Sequence, residues 1–355
     1  MIDPAEVERH RLPESDNARI FNERIVPDLL EGRSPQTTPT VVFLIGQPGA
    51  GKSRVTELVA DVLNKRGGFV DVDSDLYKPY HPSYDDLMAQ DDTLMAAYTR
   101  ADGRAWMAQA EGYVRSNGLN AVVQETSQNA AAVEEKMAAY RGAHFRVEAL
   151  VMGVPEAMSN QGIVSRYFDQ VQQRGQGRLT IQANADESYA GILELADGID
   201  RHALADQASV FRRGESMPRY SNGLDSGGRW QSPPALREAI EAERTRPWSN
   251  QETTGFVVTQ LRLRDGLGPE WEARLLRIEN LAEPLMLPEG NKALEEARRA
   301  SAAGTRPSMA QAARKRSTTV DPAKAPPKKT VPGTPPRQPG QGNGPGRDEG
   351  RGRGR

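Results

Sequence analysis

Residues 46–53 read Gly46-Gln47-Pro48-Gly49-Ala50-Gly51-Lys52-Ser53. This Gly-x-x-x-x-Gly-Lys-Ser pattern is built to hold phosphate. Its glycines let successive backbone N–H groups point inward at phosphate oxygens. Lys52 would place a positive charge on the β and γ phosphates, and Ser53 would offer a hydroxyl to Mg²⁺. A helix opening at Ser53 would add the positive end of its dipole. Switches, motors and kinases all bind phosphate this way, so the loop alone selects none of them.

A second group of residues narrows the choice. Phe69-Val70-Asp71-Val72-Asp73-Ser74-Asp75 ends a strand with three alternating acids. Side chains two apart on a strand share a face, and ligands of a parallel sheet bind beyond the carboxyl ends of its strands. Asp73 and Asp75 therefore fall near the expected γ-phosphate. A carboxylate there can accept a proton from an attacking hydroxyl or orient it. The same acids also suit solvated strand-end positions, with one of them capping the next helix.

The elements that must position these residues follow from hydrophobic periodicity. Thr40 to Ile45 is a short β-branched apolar run and reads as a buried strand. Val55, Leu58, Val59, Val62 and Leu63 then fall on one face of a helix that stops at Gly67-Gly68. Further strands are predicted at Phe69–Val72, Asn120–Gln124, His144–Met152 and Ala208–Arg212. Helices are predicted over 84–116, 133–141, from Pro155 toward Gln173, and over 187–196. Alternating strands and helices mean an α/β fold: a P-loop kinase-type parallel sheet of about five strands with helices on both faces. Before it, residues 1–33 read as helix, with Pro27 kinking or restarting it. After about residue 230 the pattern is helical only, over 233–245, 270–281 and 289–301. The expected organisation is a helical segment at 1–36, a kinase domain at 37–230, a helical extension at 231–301 and a tail at 302–355.

Charge separates that tail from the rest. The 355 residues carry a formal net charge of −2, but Ser301–Arg355 holds twelve Lys/Arg and three Asp/Glu, a net +9, which leaves −11 on residues 1–300. Rich in Pro, Gly, Lys and Arg, residues 302–355 cannot bury enough apolar surface to offset chain entropy and read as disordered. A solubilising or linker role suits this tail better than nonspecific binding of anionic partners. Charged residues make up 26 % of the chain, and mean hydropathy is −0.66, as an unstructured tail would produce.

The absence of cysteine excludes disulfides and thiolate metal sites. His10, His81, His144 and His202 show no spacing that puts two on one helical face, which argues against a histidine metal site. Met1–Arg11 has no signal-peptide pattern, and no run of about eighteen apolar residues occurs. A cytoplasmic location and no membrane association are expected. Arg212, Arg213, Arg219 and Arg229 cluster in sequence, but no aromatic stacking pattern accompanies them. They read as a solvated strand and loop rather than a nucleic-acid patch. Trp230, Trp248 and Trp271 read as packing residues.

The motifs together resemble the zeta toxin family of bacterial toxin–antitoxin kinases. The loop Gly46–Ser53 matches, and so does the whole of Asp73-Ser74-Asp75-Leu76-Tyr77-Lys78-Pro79-Tyr80-His81-Pro82. The second motif is far more specific than the first. The resemblance runs from about Thr37 to about Ala190. It implies transfer of the γ-phosphate of ATP, with Mg²⁺, to the 3′-hydroxyl of the amino sugar of UDP-N-acetylglucosamine. It also implies an antitoxin that blocks the ATP site.

By this match Asp75 is the general base, Lys52 serves the phosphates and Ser53 the Mg²⁺. Arg166 and Arg178 reach the migrating phosphoryl group, and Gly175 and Gly177 suggest a mobile lid around Arg178. Asp73, Glu125 and Thr126 belong to the acceptor side. There the chain departs from the family, which has Glu-Gly-Thr and then a basic residue; here the segment reads Glu125-Thr126-Ser127-Gln128. A further family acid on the preceding helix aligns near Ala108 or Gln109, with Glu111 the nearest acid. The alternatives are a kinase of this fold acting on another acceptor, such as a nicotinamide dinucleotide, and a nucleotide-dependent P-loop binding protein.

Overall fold

The computed structural model describes residues 4–90 and 95–302. The expected unstructured tail, beyond Ala302, lies outside the described residues. Five strands run parallel: β1 (Thr40–Ile45), β2 (Val70–Val72), β3 (Ala121–Glu125), β4 (Arg146–Met152) and β5 (Gln207–Phe211). A sixth, β6 (Tyr220–Gly223), pairs antiparallel with β5, giving the order β2-β3-β1-β4-β5-β6. β6 was not among the predicted strands. Its Tyr-Ser-Asn-Gly sequence is short and carries turn formers, so periodicity does not reveal it.

β1 is buried on both faces, which is why it reads as an unbroken apolar run. On one face Val41, Phe43 and Ile45 share a core with the helices α7 (Arg100–Asn117), α8 (Ala130–Gly142), α10 (Gln182–His202) and α11 (Leu236–Thr245). On the other, Val42 and Leu44 share a core with α3 (Ser53–Asn64), α9 (Glu156–Arg174), α12 (Asn250–Gly266) and α13 (Glu272–Ala282). The C-terminal helices thus pack into the same core as the sheet. A last helix, α14 (Pro288–Ala302), packs on α12.

α12 falls where no helix was predicted. Thr253, Thr254, Val257 and Val258 are β-branched and weak helix formers, and Gly255 is weaker still. The helix forms because Phe256 and Leu263 are buried in the core. Its start was legible: Ser249 and Glu252 make a reciprocal capping box.

The N-terminal segment forms α1 (Pro4–His10), α2 (Glu14–Ile20) and a wide π-helical stretch, Phe21–Leu30. Pro27 sits inside that stretch and has no N–H to give an ordinary ladder, and Glu31 N–H reaches back five residues to the Val26 carbonyl. Asp102 on α7 fastens this segment. It accepts from the Leu12 N–H at 3.2 Å and the Asn17 amide at 2.9 Å, and lies 3.4 Å from the ring of His81. Between β2 and α7 run α4 (Ser74–Tyr77), a 3₁₀ turn (Lys78–Tyr80), α5 (Tyr84–Gln90) and α6 (Met95–Tyr98). Among the described residues no helix is long and apolar enough to cross a membrane.

Candidate active site

Because the five strands are parallel, their carboxyl ends share one edge. β3 lies between β1 and β2, so its end must front the cleft between the phosphate loop and the acids after β2. Register confirms it: Ile45 stands opposite Glu125, and the Gly46 N–H donates to the Glu125 carbonyl at 3.0 Å.

The loop itself has the expected backbone. Gly49 and Gly51 have φ of 78° and 84°. A Cβ on Gly49 would stand 2.0 Å from the Ser159 carbonyl oxygen, so only glycine lets the loop lie this close to α9. Gln47 is buried and donates to the Val154 carbonyl at 2.9 Å, bracing the loop against the end of β4. Lys52 Nζ donates to the Gly46 carbonyl at 2.7 Å. Burial pushes its pKa down, against the opposing charges of Asp73 and Asp75. Ser53 is exposed in the first turn of α3.

The two readings of the acids divide between two residues. Asp73 caps α4 by accepting the Asp75 N–H at 2.9 Å. Burial and the charge of Asp75 raise its pKa. Asp75 faces the cations: it pairs with Lys78 at 2.9 Å and with Arg178. Burial would raise the Asp75 pKa, but Arg178 and Lys78 outweigh it and hold the carboxyl well below the usual carboxylate range. Lys78 is the basic residue of the second motif, three positions along one helical turn from Asp75. Asp71 lies behind, within 3.2 Å of the Gln124 amide that donates to it. Burial, reinforced by Asp73, pushes its pKa up to about 7.

Arg166 and Arg178 meet across the segment after α9. Arg166 donates to the Thr180 hydroxyl at 3.2 Å, and the Arg178 N–H donates to the Gln170 side chain at 2.8 Å. Burial and the charge of Arg178 lower the Arg166 pKa. Gly175 closes α9 with φ of 77°, and a Cβ on Gly177 would stand 2.7 Å from the Tyr167 carbonyl oxygen. Lys52, Lys78, Arg166 and Arg178 thus surround Asp73 and Asp75 with an excess of positive charge, as a polyphosphate requires.

At the end of β3, Glu125 pairs with Lys136 of α8 at 2.7 Å, and the same ammonium pairs with Glu111 of α7 at 2.9 Å. Glu111 is therefore at the site, although its motif alignment was poor. Lys136 was not foreseen, because nothing in α8 marks it. Thr126 follows β3 and is half-buried. Ser127 has φ of 57°, and Gln128 donates to the Asn184 carbonyl at 3.3 Å.

The clustered arginines disperse, but Arg212 departs from the solvated strand and loop expected of them. Arg212 is fully buried and pairs with Glu252 at 2.7 Å. Arg213 donates to the Met158 carbonyl at 2.7 Å and lies against Gly51, beside the phosphate loop. Arg219 pairs with Glu215 and Arg229 with Asp225. Trp248 packs on Phe256 with ring centroids 4.9 Å apart, Trp271 on Tyr167 at 5.3 Å, and Trp230 donates to the Asp200 carbonyl.

The profile of the family described as Zeta toxin matches residues 28–225, more than half of the chain. The chain belongs to the zeta toxin family. It is 25 % identical over 145 residues to a toxin zeta of Streptococcus agalactiae and 22 % identical over 151 residues to one of Enterococcus hirae. These matches cover 41 % and 42 % of this chain and 50 % and 52 % of the relatives, so the chain spans about half the length of the curated zeta toxins it matches. A solved structure from the PezAT chromosomal toxin–antitoxin system of Streptococcus pneumoniae superposes with a TM-score of 0.61 at 16 % identity, covering 72 % of this chain and 98 % of that one. At that identity the likeness establishes the shared kinase-like α/β fold.

Proposed function

We propose that this zeta toxin family member is an ATP-dependent phosphotransferase acting on the 3′-hydroxyl of the amino sugar of UDP-N-acetylglucosamine. One observation carries the reading: Asp75, Lys52, Arg166 and Arg178, far apart in sequence, converge at the carboxyl edge of the sheet. The backbone N–H groups of 46–53 and Lys52 hold the phosphates. Ser53 Oγ and phosphate oxygens suit a hard cation such as Mg²⁺, which would neutralise phosphate charge. Ser53 is exposed at the first turn of α3, so its hydroxyl is accessible for that role.

Asp75 takes the hydroxyl proton as the oxygen attacks the γ-phosphorus, and the bond from that phosphorus to the bridging oxygen of the β-phosphate breaks, so that ADP leaves. A base held by Arg178 and Lys78 is a weak proton acceptor. Arg178 therefore turns from Asp75 to the γ-phosphoryl oxygens when ATP binds, which restores basicity to Asp75 and places charge on the transferring group. Arg166, held by Thr180, meets the same group. The family supports a toxin role and an antitoxin partner that covers the ATP site. The domain division at 36, 230 and 301 is offered with the same status.

Product analysis tests the reading. Purified protein is given ATP, Mg²⁺ and UDP-N-acetylglucosamine, and the nucleotide sugar is expected to gain the mass of one phosphate. Consumption of ATP with phosphate appearing on another metabolite, such as a nicotinamide dinucleotide, would sink this acceptor while keeping the kinase.

A further inference from the structure

The acceptor side holds a group of three charges, of which the family match supplies only Glu125. Glu125 at the end of β3 and Glu111 on α7 both direct Oε1 at one ammonium, Lys136 Nζ, at 2.7 Å and 2.9 Å. Two carboxylates brought together in a buried site repel each other, and burial by itself already raises the Glu111 pKa. Lys136 resolves that conflict. Burial works against its own charge, but Glu125 and Glu111 outweigh burial and raise its pKa, so it stays an ammonium.

Exposure decides which of the three an incoming molecule meets. The Lys136 side chain is 28 % accessible, against 13 % for Glu125 and 5 % for Glu111. An ammonium carries three N–H donors and no acceptor. One is committed to Glu125 as a hydrogen bond, the contact with Glu111 is an ion pair, and among the described residues no further partner of Nζ is present. The edge that faces the acceptor therefore offers both kinds of hydrogen-bonding group: a donor from Lys136 and the remaining acceptor oxygens of Glu125. This also accounts for the missing basic residue after Glu125. The cation arrives from the next helix, eleven residues on, instead of from the strand end.

We propose that Lys136 is a specificity-determining residue of the acceptor site, selecting a sugar that carries a carbonyl oxygen. Lys136 gives its free N–H to that oxygen, while the carboxylate of Glu125 accepts from a ring hydroxyl other than the one whose proton Asp75 takes. The acetamido carbonyl of the amino sugar satisfies Lys136. A hydroxyl in place of the amide satisfies it less well, because a carbonyl oxygen is the better acceptor.

The proposal rests on the kinase reading above, and the test separates the two. Steady-state kinetics are measured on wild type, Lys136→Met and Lys136→Arg, with UDP-N-acetylglucosamine, UDP-glucose and NAD as acceptors. Loss of one charge-assisted hydrogen bond predicts that Lys136→Met raises KM for UDP-N-acetylglucosamine roughly ten-fold or more. KM for ATP stays within about two-fold, since Lys136 pairs with Glu125 and Glu111 and with no residue of the phosphate loop. The preference for the acetamido sugar over UDP-glucose narrows. Lys136→Arg, which keeps the charge, recovers most of the loss. Unchanged acceptor KM in Lys136→Met overturns the proposal. So does an equal rise in both KM values with a lowered Tm, which marks a structural brace between α7 and α8. If wild type phosphorylates NAD and not the sugar, the acceptor named above fails and the same KM comparison is made on NAD, where a selective rise upholds the role of Lys136 and no rise ends it. Wild type that phosphorylates none of the three overturns both readings. Should Lys136→Met not fold, the wild-type protein supplies the answer. The Nζ resonance of Lys136, assigned by its loss in Lys136→Arg, is expected to shift when UDP-N-acetylglucosamine is added, and a fixed resonance overturns the proposal.

Discussion

Asp75 meets two cations before any nucleotide arrives, and this sets what its substitution should do. Asp75→Asn keeps the size and the loop geometry but cannot take a proton. ATP affinity by calorimetry should be retained, while single-turnover transfer falls by roughly 10²- to 10⁴-fold. Transfer at the wild-type rate would move the base role to Asp73. The depressed pKa of Asp75 has its own consequence: the group stays ionised in the free protein, so kcat/KM should show no acidic limb from it above about pH 5. Asp71 behaves in the opposite way. Folding raises its pKa from 3.8 to about 7, so the folded state keeps a proton that the unfolded chain has lost. Stability should therefore decline as pH rises from about 4 through 7, by about 4 kcal/mol at most. Asp71→Asn should remove that decline in urea titrations while leaving stability at pH 4 near wild type. The contiguous motif residues were legible because local chemistry demands them in order. Glu111 and Lys136 were not, since only the fold brings α7, β3 and α8 to one point.

The segment after α9 turns helix geometry into a placed charge. Gly177 is pressed against the Tyr167 carbonyl, and Arg178 follows it. Gly177→Ala must lift the segment, because the obstacle is backbone rather than a yielding side chain. A displacement near 1 Å at a catalytic group costs on the order of 100-fold, so kcat should fall by about that much in stopped-flow transfer assays, with Tm changed little. Gly255 on α12 is the contrasting case: no atom lies within 4 Å of an added Cβ. Gly255→Ala should stabilise by roughly 0.5–1 kcal/mol in chemical denaturation, since it removes unfolded-state freedom and adds no contact. Strand β1 was readable because burial on both faces leaves an apolar, β-branched signature, and β4 because its end, Ala149 to Met152, is an unbroken buried apolar run. α12 was hidden because tertiary burial of Phe256 and Leu263 overrides its local preference for extended structure. β6 was hidden because an edge strand of Tyr-Ser-Asn-Gly carries the residues of a turn.

The molecule as a whole is closed by contacts distant in sequence. Asp102 holds Leu12, Asn17 and His81 together and so ties the N-terminal helices to the block that carries Asp75. Asp102→Ala strands several buried donors at once and should cost about 2–4 kcal/mol, read from denaturant midpoints. The sheet order adds a consequence for synthesis. β1 emerges early, yet its two neighbours, β3 and β4, are complete only at Glu125 and Met152. Arg178 comes later still, and Arg213, which steadies the loop beside Gly51, near residue 210. A nascent chain that has reached α9 already owns the phosphate loop and Asp75 but lacks Arg178. The candidate site, on the proposed reading, is thus assembled only after about half of the chain has emerged from the ribosome.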